Sequence, residues 1–335
     1  MSSPAVEDPP VLPGLLLFHR MSAGFYAATH AALRQRYRLL DFYASGEPLP
    51  AFLAGAAAMP DPPRAAVIVG GRYIRVDAEL LDAVPSLAFV CNTGAGVDHV
   101  DLHECARRGV AVANSGNVYS ADVADQAVGL LIDVLRQVSA AGRFVRSGSW
   151  PVQGDYPLGR KLGGKRVGII GMGNIGSLIA KRLEAFGCVI YYNSRRQKDS
   201  VPYKYFLNIH ELASESDVLV VACALNKDTR QIVDKGVLEA LGKDGIIINI
   251  GRGAHVDEVE LVRALKEGRI AGAGLDVFEN EPKVPPELFS MDNVVMTHHI
   301  AIFTAESMYD LRDRTIGNLE AFFSGKPLLM PVHPW

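Results

Sequence analysis

Two glycine-rich turns, a pair of acids and a pair of histidines stand where their types and spacing can do chemistry. The first turn, Gly171-Met172-Gly173-Asn174-Ile175-Gly176, follows the short apolar run that starts at Lys165 and opens a helix-like segment reaching Phe186. Strand, glycine turn and helix in that order are what a dinucleotide pyrophosphate requires. Gly171 permits the tight turn, Gly173 lets the backbone approach the phosphates, and Gly176 lets the helix pack closely on its strand. The helix start adds unpaired N–H groups and the positive end of the dipole. A glycine-rich turn in a glycine-rich chain is the plainer alternative, but the flanking context on both sides favours a nucleotide.

In an open parallel sheet, ligands bind outside the carboxyl ends of the strands, so the residues just after each apolar run matter most. After the run Val189 to Tyr192 comes Asn193-Ser194-Arg195-Arg196, with no acid where an NAD-type site places one for the ribose 2′-hydroxyl. Ser194, Arg195 and Arg196 suit a 2′-phosphate, because a guanidinium offers a planar fork of donors and a permanent charge. A solvated basic turn is the alternative, and the position relative to the glycines favours NADP(H), with NAD(H) possible. Further on stand Gly251-Arg252-Gly253, then Asp276 to Glu281, then His298-His299. Singly, each has an ordinary explanation as a surface arginine, an acidic loop or a strand-end histidine. Together they match carbonyl reduction: an arginine to hold carboxylate and carbonyl, a histidine to donate a proton, and a carboxylate to orient the imidazole and favour its acid form.

Other chemistries lack parts. There is no HExxH, CxxC pair, GxSxG or Walker lysine, and Glu279 and Glu281 lie too near in sequence for a glycosidase pair. No metal is expected. His19, His30, His99, His103, His210, His255 and His333 belong to no motif. A net charge of −3 gives no basic excess for nucleic acid or anionic membranes. Cys91, Cys105, Cys188 and Cys223 are widely spaced and read as buried thiols in a reducing compartment. With no leader, membrane span or peroxisomal tripeptide apparent, a cytoplasmic enzyme is expected.

The elements that must carry these residues alternate along the 335-residue chain, half of it apolar (49%), which predicts two α/β domains with parallel sheets. The first is expected to hold strands at Leu15 to Phe18, Leu39 to Phe42, Ala65 to Val69, Leu87 to Cys91 and Val110 to Ala113, with Asp77 and Asp101 capping helices. Ser45 to Pro63 reads as a loop with a short helix. A long helix follows, with Ser120 as N-cap, Asp122 in its first turn and an apolar face from Val123 to Val138, so the domain boundary is expected near Val118. Roughly six strands are expected in the second domain, ending at Val294 to Met296, with helices near Ile175 to Phe186, Ile209 to Ala213, Thr229 to Leu241 and Glu258 to Glu267. A last helix, Ala305 to Phe323, is expected to return to the first domain.

At this point the motifs resemble the D-isomer-specific 2-hydroxyacid dehydrogenases, over almost the whole chain. The resemblance rests on Gly171 to Gly176, Asn249-Ile-Gly-Arg-Gly253, Gly274-Leu-Asp-Val-Phe-Glu-Asn-Glu-Pro282 and the histidine after Val294-Val295. It is nearest the plant hydroxypyruvate, glyoxylate and hydroxyphenylpyruvate reductases, in Asp122-Val-Ala-Asp125, Gly272 to Val277 and Gly325-Lys-Pro-Leu-Leu329. It implies a doubly wound, Rossmann-like cofactor domain (119–299) inserted in a flavodoxin-like substrate domain (1–118 and 300–335), with the active site in the cleft and homodimers joined through the cofactor domains. It also implies that Arg252 binds substrate, Glu281 partners the histidine and His299 donates the proton. His298 would occupy the family's usual proline position. Ile250, Gly251 and Asp276 would line the cofactor, Asp276 near the nicotinamide carboxamide, and the backbone of Gly94-Ala95-Gly96 would hold the carboxylate. Where the family commonly has a small glycine-serine run, this chain has Ala301-Ile302-Phe303, and Cys223-Ala224 replaces a frequent proline. The expected activity is NADPH-preferring reduction of hydroxypyruvate or glyoxylate to D-glycerate or glycolate. An aryl-pyruvate reductase stays open through Phe303 and the aromatic loop around Trp150 and Tyr156. A nucleotide-sensing corepressor scaffold is the rival from another class, disfavoured because the chain keeps all three catalytic groups and lacks long flexible extensions.

Overall fold

Short buried β-branched runs closed by turns and helices produce two parallel sheets. The computed structural model describes residues 12–19, 25–69 and 74–334, and the chain divides into unit 1, Met1–Val118 with Met308–Trp335, and unit 2, Tyr119–Ser307. Residues 1–10, on which the expectation of no leader falls, lie outside the described residues.

Unit 1 runs β1 (Gly14–Phe18), α1 (Phe25–Arg34), β2 (Arg38–Asp41), α2 (Phe42–Ser45), α3 (Leu49–Ala57), β3 (Ala65–Ile68), α4 (Ala78–Ala83), β4 (Phe89–Asn92), α5 (Leu102–Arg107) and β5 (Ala111–Ala113). Its sheet has the flavodoxin-like order β2-β1-β3-β4-β5, all pairs parallel. Alternate residues feed two cores: Leu16, Phe18, Ile68 and Val90 on one face, Leu15, Leu17, Val67 and Phe89 on the other. Burial on both faces explains why these runs show no polar alternation. The second core is closed by the C-terminal helix, Ala305–Phe323, through Leu319 and through Phe322, whose ring stacks on Phe89 at 4.9 Å. The caps at Asp77 and Asp101 form, their carboxylates accepting from Leu80 N and Glu104 N. β2 stops one residue short of expectation because Asp41 turns to cap α2, while Ser45 to Pro63 holds the short helix α3 between loops, as expected.

Unit 2 runs α6 (Ser120–Arg136), α7 (Val138–Arg146), α8 (Trp150–Gln153), β6 (Arg166–Ile170), α9 (Asn174–Ala185), β7 (Val189–Asn193), β8 (Lys204–Tyr205), α10 (Ile209–Ser214), β9 (Val218–Val221), α11 (Lys235–Leu241), β10 (Ile246–Asn249), α12 (Glu258–Lys266), β11 (Gly272–Leu275) and β12 (Val294–Met296). The parallel sheet is seven-stranded, ordered β12-β11-β10-β9-β6-β7-β8, one strand more than expected because the two-residue β8 joins its edge. The chain winds outward from β6 and returns to its other side at β9, so the switch point lies between those two strands.

Two helices start differently from expectation. Ser120 is the first residue of α6 rather than its cap, and the helix breaks at Gln137, which is left-handed at φ 55°. α11 begins at Lys235, not Thr229. Asn226 Oδ1 accepts from Asp228 N and Thr229 N, and Gln231 is left-handed at φ 50°, so residues 226–231 form turns and Asp234 caps the helix through Val237 N.

Candidate active site

The glycine-rich turn leaves β6 at the switch point. Gly171 has φ 104°, and a Cβ there would lie 2.6 Å from the backbone of Cys223, so only glycine fits between the ends of β6 and β9. A Cβ on Gly176 would lie 2.0 Å from Gly171 O, which is how α9 sits so near its strand. At Gly173, the N-cap of α9, a Cβ would meet no protein atom, so that edge of the turn faces open space beside the first N–H groups of Asn174 and Ile175. Met172 is buried beneath it. These features form a cradle that fits a dinucleotide pyrophosphate. Burial pushes the Cys223 thiol up to about 12, so no thiolate charge opposes an anion there.

The loop after β7 is fastened at several points. Asn193 Nδ2 donates to the carbonyls of Phe206 and Leu207, and Gly171 N donates to Asn193 O at 2.9 Å, tying this loop to the glycine turn. Tyr205 Oη donates to Ser194 O, and the buried Tyr192 hydroxyl accepts from Lys198 N. Ser194 Oγ donates to Arg196 O. Arg195 and Arg196 are exposed on this braced turn. Lys198, which carried no expectation, extends its ammonium to Met172 O at 2.5 Å and so adds a third cation beside the glycine turn.

The ends of β10, β11 and β12 are stitched together by backbone. Asp276 N donates to Asn249 O at 3.0 Å, and His299 N donates to Asp276 O at 2.8 Å. A Cβ on Gly253 would fall 1.8 Å from Phe278 C, so the arginine turn and the acidic loop are in backbone contact. Arg252 is half-buried, and its Nη1 donates to Gly251 O. The Glu281 side chain is only 8% exposed; one oxygen accepts from Phe278 N at 2.8 Å and the other lies 2.9 Å from His299 Nδ1. With Nδ1 directed at the carboxylate, Nε2 lies on the opposite side of the ring. His299 sits at φ 61°, a left-handed backbone uncommon outside glycine although histidine enters it more readily than most, and its surroundings hold it there. Asp276 is the enforcing group. Its buried carboxylate accepts from Thr297 Oγ1 at 2.6 Å, Ile300 N at 2.9 Å and Ala301 N at 3.2 Å, clamping the chain on both sides of His299. Gln126 on α6 in turn donates to Thr297 Oγ1. His298 is exposed, and Glu279 pairs with Arg230 at 2.7 Å rather than with a histidine.

In unit 1, Gly94-Ala95-Gly96 follows β4. Asn92 Nδ2 donates to the carbonyls of Gly94 and Gly96, and Asn114 Nδ2 to that of Ala95, each at 2.8 Å. Because a trans peptide sets N–H opposite C=O, the N–H groups of Ala95, Gly96 and Val97 face away from the asparagines. Asn92, Asn114, Lys198 and Asn249 were missed in sequence. Asn92, Asn114 and Asn249 are polar residues at or beside strand ends, a signal that ordinary turns share, and Lys198, in the loop between β7 and β8, has no such signal.

Residues 128–301 match the family model for the D-isomer specific 2-hydroxyacid dehydrogenase NAD binding domain. The chain is 50% identical to a glyoxylate/hydroxypyruvate reductase of Arabidopsis thaliana, covering 97% of this chain and 98% of the relative. It is 51% identical to a hydroxyphenylpyruvate reductase of Plectranthus scutellarioides over 79% of this chain and 84% of the relative. Among solved structures, the NADPH-dependent glyoxylate/hydroxypyruvate reductase of Sinorhizobium meliloti, in complex with NADP and malonate, superposes with a TM-score of 0.86 at 36% identity over 96% of both chains.

Proposed function

The chain belongs to the D-isomer-specific 2-hydroxyacid dehydrogenase family, and we propose that it is an NADPH-preferring 2-oxoacid reductase of the hydroxypyruvate and glyoxylate type. The observation that carries the proposal is the Glu281–His299 pair at 2.9 Å, held beside the Arg252 turn at adjoining strand ends. Gly171 to Gly176 and the start of α9 take the pyrophosphate, while Ile250, Gly251 and Asp276 lie along the rest of the cofactor. Ser194, Arg195 and Arg196 take the 2′-phosphate. Bound there, the reduced nicotinamide supplies a hydride. Arg252 holds the 2-oxoacid by charge-assisted bonds to its carboxylate and carbonyl. His299 Nε2 gives its proton to the carbonyl oxygen, and Glu281 orients the ring and balances the imidazolium charge. Unit 2 is the cofactor domain and unit 1 the substrate domain, its Gly94–Gly96 turn presenting backbone N–H groups suited to a carboxylate.

A panel of 2-oxoacids offered with NADPH and NADH tests this. Hydroxypyruvate or glyoxylate with NADPH is expected to give the highest kcat/KM, and no turnover of any member would sink the proposal. The second reading, an aryl-pyruvate reductase, is favoured by the half-exposed Phe303 and the 51% identity to a hydroxyphenylpyruvate reductase, so hydroxyphenylpyruvate belongs in the panel.

Self-association is part of the proposal. Val138, Val145, Trp150, Val152 and Leu158 of unit 2 are all more than half exposed, within a stretch of about twenty residues. A homodimer through the cofactor domain would cover them. Trp150→Glu is expected to shift the sedimentation mass toward a monomer, and a wild-type chain that already sediments as a monomer would refute the assignment. Among the described residues no helix is long and apolar enough to cross a membrane. The four free cysteines accord with a reducing, cytoplasmic setting.

A further inference from the structure

We infer that His255 is a positioning residue for Arg252, fixing the backbone from which the guanidinium reaches the substrate carboxylate. The inference rests on the reading of Arg252 as the carboxylate-binding group and goes beyond it to a residue that belongs to no motif.

Arg252 leaves β10 in an extended conformation (φ −142°, ψ 147°), and the next residue begins a 3-10 turn, Gly253–His255. Its backbone N–H donates to His255 Nδ1 at 2.9 Å, and its carbonyl accepts from His255 N at 3.1 Å. One residue therefore grips both polar groups of the Arg252 backbone. Asn249 reinforces the turn, Oδ1 accepting from Gly251 N at 3.1 Å and Nδ2 donating to Arg252 O at 2.9 Å. His255 is fully buried, and its ring lies against Gly251, where a Cβ would come within 2.8 Å of Nδ1. The turn is anchored in its own right: Gln231 N donates to Ala254 O, and Val233 N to His255 O. The Val233–Val256 bridge fixes the backbone just beyond His255.

Nδ1 accepts a backbone N–H only in the tautomer that carries its proton on Nε2, so the imidazole acts here as a neutral acceptor of fixed direction. Without it, the Arg252 peptide is free to rotate toward another acceptor. The Arg252 side chain folds back on the same turn, Nη1 donating to Gly251 O at 2.8 Å, so a tilt of that peptide swings the whole fork. Bidentate binding of a planar carboxylate does not tolerate such a swing. The effect should fall mainly on the oxoacid, because of the proposed dinucleotide contacts only Ile250 and Gly251 share this strand end, while the glycine turn and the 2′-phosphate loop lie on other strands.

The test compares His255→Leu, His255→Gln and His255→Asn in the full-length enzyme, by steady-state kinetics and by oxalate binding to the NADP-loaded protein. Asparagine sets an acceptor near the place of Nδ1; glutamine sets it near Nε2, and leucine has none. Leucine and glutamine are expected to raise oxoacid KM and oxalate Kd by about tenfold or more, with NADPH KM within about twofold of wild type. Asparagine is expected to restore most of the loss. Wild-type kinetics in the leucine and glutamine variants, equal rises in oxoacid and NADPH KM, or no rescue by asparagine would each overturn the inference. If leucine fails to fold, the asparagine–glutamine contrast carries the test; failure of all three would make His255 a fold determinant and overturn it too. Arg252→Lys, measured alongside, separates the levels: an unchanged oxoacid KM there sinks the reading of Arg252 itself, whereas a raised one with silent His255 variants sinks only the inference.

Discussion

The two adjacent histidines differ in what holds them. His299 has its ring nitrogen on a buried carboxylate and its backbone gripped by Asp276, while His298 is exposed. On the proposed function, His299→Ala removes the proton donor and should lower kcat by about 10²- to 10⁴-fold, the usual worth of general acid catalysis. His298→Ala should stay within about twofold, as surface changes usually do. Reversed ranking in steady-state assays would mean the wrong histidine was assigned. Arg252, Glu281 and His299 are legible because each follows a run that reads as a strand, and strand ends are where such sheets bind ligands. His255 and Asn249 are not legible. Each acts through one bond to a backbone group a few residues away, and that bond exists only once the turn has its shape. A buried histidine three positions after an arginine looks in sequence like a surface one.

At the scale of elements, the strands with side chains buried on both faces read clearly, and the short or edge elements do not. β8 has two residues, too few for any periodicity, yet it braces the loop that carries Arg195 and Arg196. The early start expected for α11 failed because Asn226, Thr229 and Gln231 fold into turns that compete with the helix. A braced loop with exposed cations on the dinucleotide side supports the 2′-phosphate assignment. Replacing Arg195 and Arg196 together by neutral residues should raise NADPH KM by about 10- to 100-fold, one or two charge-assisted bonds' worth, and barely change that for NADH. Equal effects on both cofactors in paired titrations would count against the phosphate site. Lys198 is expected to keep some preference for NADPH in the double variant, because its ammonium stays within reach of Met172 and the same turn.

At the scale of the whole molecule, each unit carries its own buried core, and unit 1 buries a histidine inside it. His19 is 6% exposed at the end of β1. Burial pushes its pKa down from 6.5 to about 4, with Asp41 pulling weakly the other way. The folded value lies below the unfolded one, so the unfolded chain takes up this proton first as pH falls. The stability His19 contributes is therefore present in full above pH 6.5 and is lost as pH drops toward 4, by up to about 3 kcal/mol at about 1.4 kcal/mol per pH unit. Glu258 works in the opposite sense: burial raises its pKa, against the Glu279 N–H that its carboxylate accepts, so acid favours the folded state at this group. The His19 share is read between about pH 7 and 5 as the difference between wild type and a His19 variant, which leaves the other histidines common to both. Urea unfolding followed there should show the wild-type stability falling with pH, and His19→Leu, which has no proton to take up, should flatten that slope while shifting the absolute stability either way. Parallel slopes for the two proteins would mean that His19 is already as easily protonated in the fold as in the unfolded chain.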